Sequence, residues 1–155
     1  MVRETASAYP RPPRLEPSTR RVRVVLGGEV VADSTACWRV LETWHPPGWY
    51  IPAGAFRPGA LARAPGVSFC EWKGEAVYHD LLGGGLRAAR AAWSYPDPTP
   101  DFAAIAGHVA LYAGRVDACF VDDERVTPQE GRFYGGWITA DVEGPFKGAP
   151  GTEGW

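Results

Sequence analysis

Alternation of apolar and polar positions is clearest between Arg21 and Asp33. Val22, Val24 and Leu26 alternate with Arg21, Arg23 and Val25, Gly27-Gly28 turns the chain, and residues 29–33 return. That pattern predicts an antiparallel hairpin, because period 2 buries one face and paired glycines accept the positive φ of a tight turn. Residues 37–43 repeat the pattern with Trp38, Val40 and Glu42 on one face, His45-Pro46-Pro47-Gly48 breaks it, and residues 49–52 read as a short aromatic strand ended by proline. Residues 53–67 hold two prolines and three glycines with no durable period, and read as a long loop. Residues 69–82 predict a strand pair or one bent strand, with Gly74 as a bulge. Gly83-Gly84-Gly85 is a turn; no Gly-Lys-Ser/Thr follows to make it a phosphate cradle. Residues 86–92 are good helix formers in a run too short to hold alone. Trp93 to Pro98 is a stiff turn, and residues 99–105 suit one capped helical turn. Residues 108–112 and 115–121 predict a second hairpin around Ala113-Gly114.

The sum is a mainly β fold, a small hairpin-built barrel or a two-sheet domain over residues 20–126. Residues 1–19, rich in proline and arginine, read as a flexible or surface-wrapped tail. Residues 127–155 carry Phe133, Tyr134, Trp137, Phe146 and Trp155 among glycines and prolines. Those aromatics need a surface, so the arm should lie against the domain or against a second copy in a homo-oligomer.

Composition narrows the classes. A chain of 155 residues fits one compact domain. Its net charge of −2, with arginines spread along the chain, leaves no footprint for nucleic acid. The cluster Arg20, Arg21 and Arg23 reads as a solvated strand face. No apolar run reaches membrane length and residues 1–20 lack a signal-peptide core, so no membrane partner is expected. Three cysteines at irregular spacing point to reduced thiols in the cytoplasm. Cys37, Cys70, Cys119, His45, His79 and His108 form no Cys-x-x-Cys knuckle, and Ser94 lacks a nucleophile elbow, so neither a metal, another cofactor nor a serine triad is expected.

The candidate chemistry sits in Ser68–Tyr78 and Ala92–Pro98. Lys73 is an anchor for a carboxylate or phosphate, or a desolvated amine of lowered pKa able to act as nucleophile; the plain alternative is a surface lysine on a strand edge. Cys70 is a thiolate helped by that cation or a small buried hydrophobe. Glu42 is an acid or base, or a solvated strand position. Tyr50, Tyr78 and Tyr95 could orient a ligand, and Trp72 and Trp93 could stack on one, where core packing is the alternative. Cys70 and Lys73 stand an odd interval apart, so they share a pocket only if the chain bends between them.

His45-Pro-Pro-Gly-Trp-Tyr-Ile-Pro52, Cys70-Glu-Trp-Lys-Gly74, Ala92-Trp-Ser-Tyr-Pro-Asp-Pro98 and the preceding Gly-Glu-Val-Val-Ala-Asp-Ser34 resemble the domain-of-unknown-function family numbered 427 over about residues 20 to 126. The resemblance implies a β-rich, β-tent-like fold and no established activity; the arm is similar to an extension in some bacterial members. Glu71 stands where the family usually has proline, and Ala53-Gly-Ala-Phe56 replaces a more acidic segment. The family's nucleotidyltransferase-like label finds no Gly-Ser and paired aspartates here. These readings together predict a small-molecule-handling protein, either an enzyme acting on a small polar metabolite or a non-catalytic binder, with a structural or assembly module as the third class.

Overall fold

The computed structural model describes residues 3–131, 133–152 and 155; Met1 and Val2 of the expected tail, and Arg132, Glu153 and Gly154 of the expected arm, lie outside the described residues. In chain order the strands are β1 Glu4–Thr5, β2 Arg14–Ser18, β3 Val22–Leu26, β4 Glu29–Ser34, β5 Cys37–Leu41, β6 Gly48–Pro52, β7 Leu61–Cys70 and β8 Gly74–Gly83. They continue as β9 Leu86–Ser94, β10 His108–Leu111, β11 Ala118–Val121, β12 Glu124–Arg125, β13 Thr127–Pro128, β14 Trp137–Ile138 and β15 Val142–Glu143.

Two antiparallel sheets organise the molecule. Seven strands run β2-β5-β6-β10-β9-β8-β7 and four run β12-β11-β3-β4. Neither closes on itself, so the fold is the two-sheet alternative and not the barrel. The main core lies between the sheets, where Val22, Val24, Val31, Trp49, Ile51, Leu81, Leu111 and Val121 are almost wholly buried. Alternation then sends their neighbours the other way. Val40, Tyr50, Ala76, Tyr95 and Ala110 form a second cluster on the outer face of the large sheet.

The β3–β4 hairpin forms as its alternation dictates, with Leu26 opposite Glu29 and Gly27 and Gly28 at φ of 62° and 76°. Its turn abuts the β8–β9 turn. A Cβ on Gly27 or Gly84 would collide with the other's turn, so Gly83–Gly85 packs on backbone instead of cradling a phosphate. Arg20, Arg21 and Arg23 pair with Asp122, Asp33 and Asp123, and Arg20 also reaches Asp141.

Several expectations are corrected. Residues 3–19 are not a free tail: β2 is the edge of the large sheet and the buried Arg39 takes Glu4 and Glu16, while Ala6 and Tyr9 are also buried. Pro17 is tolerated there because an edge strand can spare an N–H. Half of the expected loop 53–67 belongs to β7, whose register shifts between Ala64 and Val67, so Pro65 and Gly66 mark a bulge. Residues 86–92 are strand, since β8 and β10 pair with both edges of β9 and tertiary pairing overrides propensity. Residues 108–121 are no hairpin. β10 pairs with β6 and β9, whereas β11 pairs with β3 and β12 in the other sheet, and the chain crosses through a short 3-10 turn at Ala113–Arg115.

Candidate functional site

One transverse row of the large sheet carries the aromatic wall. Trp38 pairs with Tyr50, Ala110 with Trp93, and Trp93 with Tyr78. Val109 opposite Ile51 places Ala110 beside Tyr50. Trp38, Tyr50, Ala110 and Trp93 each sit one residue from a position in the main core and so point to the outer face, and Tyr78 shares the face of Trp93, its cross-strand partner. Ala110 has only a methyl, and the Trp93 Nε1–H donates to the Tyr50 oxygen at 3.3 Å across it. Tyr78 donates to Ser68 Oγ at 2.8 Å. Above this wall opens a cavity of about 340 Å³, and Lys73, Cys70, Glu42, Tyr50, Trp72, Tyr78, Trp93 and Tyr95 all line it.

Lys73 arrives there by a turn, not a bulge. Cys70 pairs with Gly74, so Glu71, Trp72 and Lys73 form the β7–β8 connection and Gly74, at φ of 107°, opens β8. That reversal lets Cys70 and Lys73 face one space despite their odd spacing. Thr99 fixes the turn, its hydroxyl donating to the Trp72 carbonyl at 2.6 Å and its N–H to the Lys73 carbonyl at 3.0 Å. The two sequence stretches that carried the candidate chemistry thereby meet.

Lys73 is 9% exposed, with Nζ 5.7 Å from the Tyr95 ring centre. Burial acts to lower its pKa, Tyr50, Cys70 and Glu42 act to raise it, and the net direction is upward. Lys73 is therefore an ammonium at neutral pH, which corrects the expectation of an amine with lowered pKa. Burial pushes the Tyr50 and Tyr95 phenols up, so both stay neutral.

The arm closes the cavity from the opposite side. A Cβ on Gly135 would collide with the Trp93 indole, and one on Gly136 with the Pro46 carbonyl, so this glycine pair lies directly on the site. Gln129, buried, accepts from Gly136 N–H through Oε1 at 3.0 Å and donates through Nε2 to the Lys147 carbonyl at 2.6 Å. Reversing the amide would face donor to donor and acceptor to acceptor, so these partners fix its orientation. Nε2 also lies 3.1 Å from His45 Nδ1, which must then accept. The neutral imidazole carries its proton on Nε2, the nitrogen 4.0 Å from Glu42. Burial first, then the charges of Lys147, Lys73 and Arg11, bring the His45 pKa down to about 4. Lys147 stands over Tyr134 at 5.2 Å, and Tyr134 meets His45 edge-on at 4.8 Å.

The sequence reading missed Arg11, His45, Gln129, Tyr134 and Lys147 as lining residues. One signal was available. The chain has only two lysines among its 16 basic residues, and they occur as Trp72-Lys73-Gly74 and Phe146-Lys147-Gly148. Both glycines adopt positive φ, at 107° and 130°, and both lysines line the cavity.

The other reactive groups are placed elsewhere. Cys37 and Cys119 are buried in the main core; burial pushes the Cys37 thiol up to about 11 and raises that of Cys119. His79 Nε2 lies 2.8 Å from Ser94 Oγ, but His79 follows Tyr78 and so occupies the reverse face, and among the described residues no carboxylate hydrogen-bonds its other nitrogen. Among the described residues no three His, Cys, Asp or Glu side chains gather as for a metal, and no helix is long and apolar enough to cross a membrane.

A family model described as a domain of unknown function, DUF427, matches residues 14–122, and the chain belongs to that family. No curated protein matches the chain. The matched span takes in the sheet wall and Lys73 but ends before Gln129, Tyr134 and Lys147.

Proposed function

We propose that this member of a family without an assigned activity binds a small, negatively charged polar metabolite, with Lys73 as its anchor. One observation carries the reading: a nearly buried ammonium faces a cavity, and among the described residues no carboxylate lies within 4.0 Å of it. Its surroundings keep it charged without pairing it directly to a carboxylate, so a ligand carboxylate or phosphate can take that place. Tyr50, Tyr78 and Tyr95 supply hydroxyls, Trp93 a flat face, and the cavity of about 340 Å³ is at the small end of ligand sites. Reduced, buried Cys37 and Cys119 suit a cytoplasmic protein.

The enzymatic reading rests on a narrower observation: Cys70 and Lys73 line the same cavity, and Cys70 acts to raise the Lys73 pKa. In that reading Cys70 attacks or Glu42 moves a proton, and Lys73 stays charged as an electrostatic partner. It is not the nucleophile.

A library of small carboxylates, phosphates and uncharged analogues, screened by ligand-observed NMR, tests the anchor. Anionic members should bind and should be lost in Lys73→Gln with folding retained. Binding that ignores ligand charge, or survives Lys73→Gln unchanged, would refute the role given to Lys73.

A further inference from the structure

Resting on the reading of the cavity as an anion site, we propose that its ligand carries two acidic groups, one held by Lys73 on the sheet wall and the other by Lys147 on the arm wall. The two ends are built alike. Each lysine follows an aromatic residue and precedes a glycine at positive φ, and each ammonium stands over a tyrosine ring, Tyr95 for Lys73 and Tyr134 for Lys147. Among the described residues neither ammonium has a side-chain carboxylate within 4.0 Å; Lys147 Nζ donates to a main-chain oxygen of Trp155 at 3.4 Å. Among the described residues eight arginines form ion pairs away from this cavity, whereas the chain's two lysines both line it.

The groups between the two ends fit the same ligand. His45 feels Lys147, Lys73 and Arg11 together and stays neutral, with its Nε2–H as a donor. A protonated His45 would bind anions more strongly, but three cations already face it. Glu42 lies 4.0 Å from that nitrogen and acts on Lys73 through space without pairing with it. A monoanion on Lys73 would leave Lys147, which also lines the cavity, without an acidic group from ligand or side chain. The walls are also fixed in relation to each other, since Gly135 rests on the Trp93 indole with no room for a Cβ. The spacing of the acidic groups is therefore selected as well as their number. Gln129 is the positioning residue, because it holds both the Lys147 carbonyl and the His45 tautomer.

Isophthalate and benzoate, which share a ring and differ by one carboxylate, test the inference by calorimetry at low salt and pH 7.5. The unaltered protein should bind isophthalate about tenfold more tightly than benzoate. Lys147→Gln, checked by melting temperature, should bring isophthalate to the benzoate level and leave benzoate unchanged. Lys73→Gln should weaken both. Equal affinity of the unaltered protein for the two compounds overturns the second subsite even if Lys147→Gln folds poorly, and leaves the Lys73 anchor standing. So does a Lys147→Gln effect that is absent, or the same for both compounds. If neither compound binds, the anion-site reading itself falls and this inference with it.

Discussion

At the scale of single residues, the site is governed by which groups keep their charge. Lys73 could be singled out from sequence because it stands between Trp72 and Gly74 in a reactive stretch, but the sign of its pKa shift could not. Burial and acidic neighbours act in opposite directions, and only placement decides between them. His45 was legible as a chain breaker before two prolines; its tautomer depends on Gln129, 84 positions away. A pH dependence follows. Unfolded, the imidazole takes its proton near pH 6.5, whereas folded it does so only near 4. Between those values the unfolded state binds a proton that the folded state does not, so stability falls as pH falls from 6.5 to 4 and then levels. The loss should be at most about 3 kcal/mol. Urea unfolding at pH 7, 6, 5 and 4.5 should give a shallower pH slope for His45→Gln than for the unaltered protein. His79, also lowered, acts with the same sign in both proteins and leaves the difference to His45. The lowered carboxyls of Glu4, Asp33, Asp80, Asp122 and Asp141 stabilise above their ordinary values near 4 and begin to lose that contribution at the low end of the window, alike in both proteins.

At the scale of elements, local pattern and long-range pairing divide what could be read. The β3–β4 hairpin and β6 follow from period 2 and turn glycines alone. β9 does not, because its alanines and arginines favour helix until β8 and β10 flank it. The pairing of residues 108–121 was illegible for a related reason: two strands separated by Ala113-Gly114 look like a hairpin unless the partners β6, β9 and β3 are known. The paired glycine turns give a contrast that can be measured. Gly84, at φ of 55° and packed on Gly27, has no space for a side chain, and Gly84→Ala should cost about 2–4 kcal/mol. Gly28, at φ of 76°, has open space around it, and Gly28→Asn should stay within about 1 kcal/mol. Equal losses in thermal melts of the two variants would mean that the turns do not touch as described.

At the scale of the whole molecule, the arm is part of the fold. Trp137 is 1% exposed, stacks near Trp49 with centroids 6.3 Å apart, and donates from Nε1 to the Leu111 carbonyl at 3.1 Å. Of the five aromatics that predicted a docked arm, Phe133 alone is largely exposed, at 69%. Trp137→Ala should lose about 3–5 kcal/mol in denaturant titration. A chain ending at Val126 should melt well below the full chain and expose Trp49; an unchanged melting temperature would make the arm dispensable. The pairing of β11 with β3 joins Val121 to Val22 across most of the chain. That pairing has a meaning for biosynthesis. The β3–β4 hairpin is made early, with its apolar face and one strand edge open, and its partner strand β11 follows only after residues 35–117 have left the ribosome. The nascent chain must pass that interval with a sticky edge uncovered, and chaperone demand should be greatest then and end once β11 has emerged.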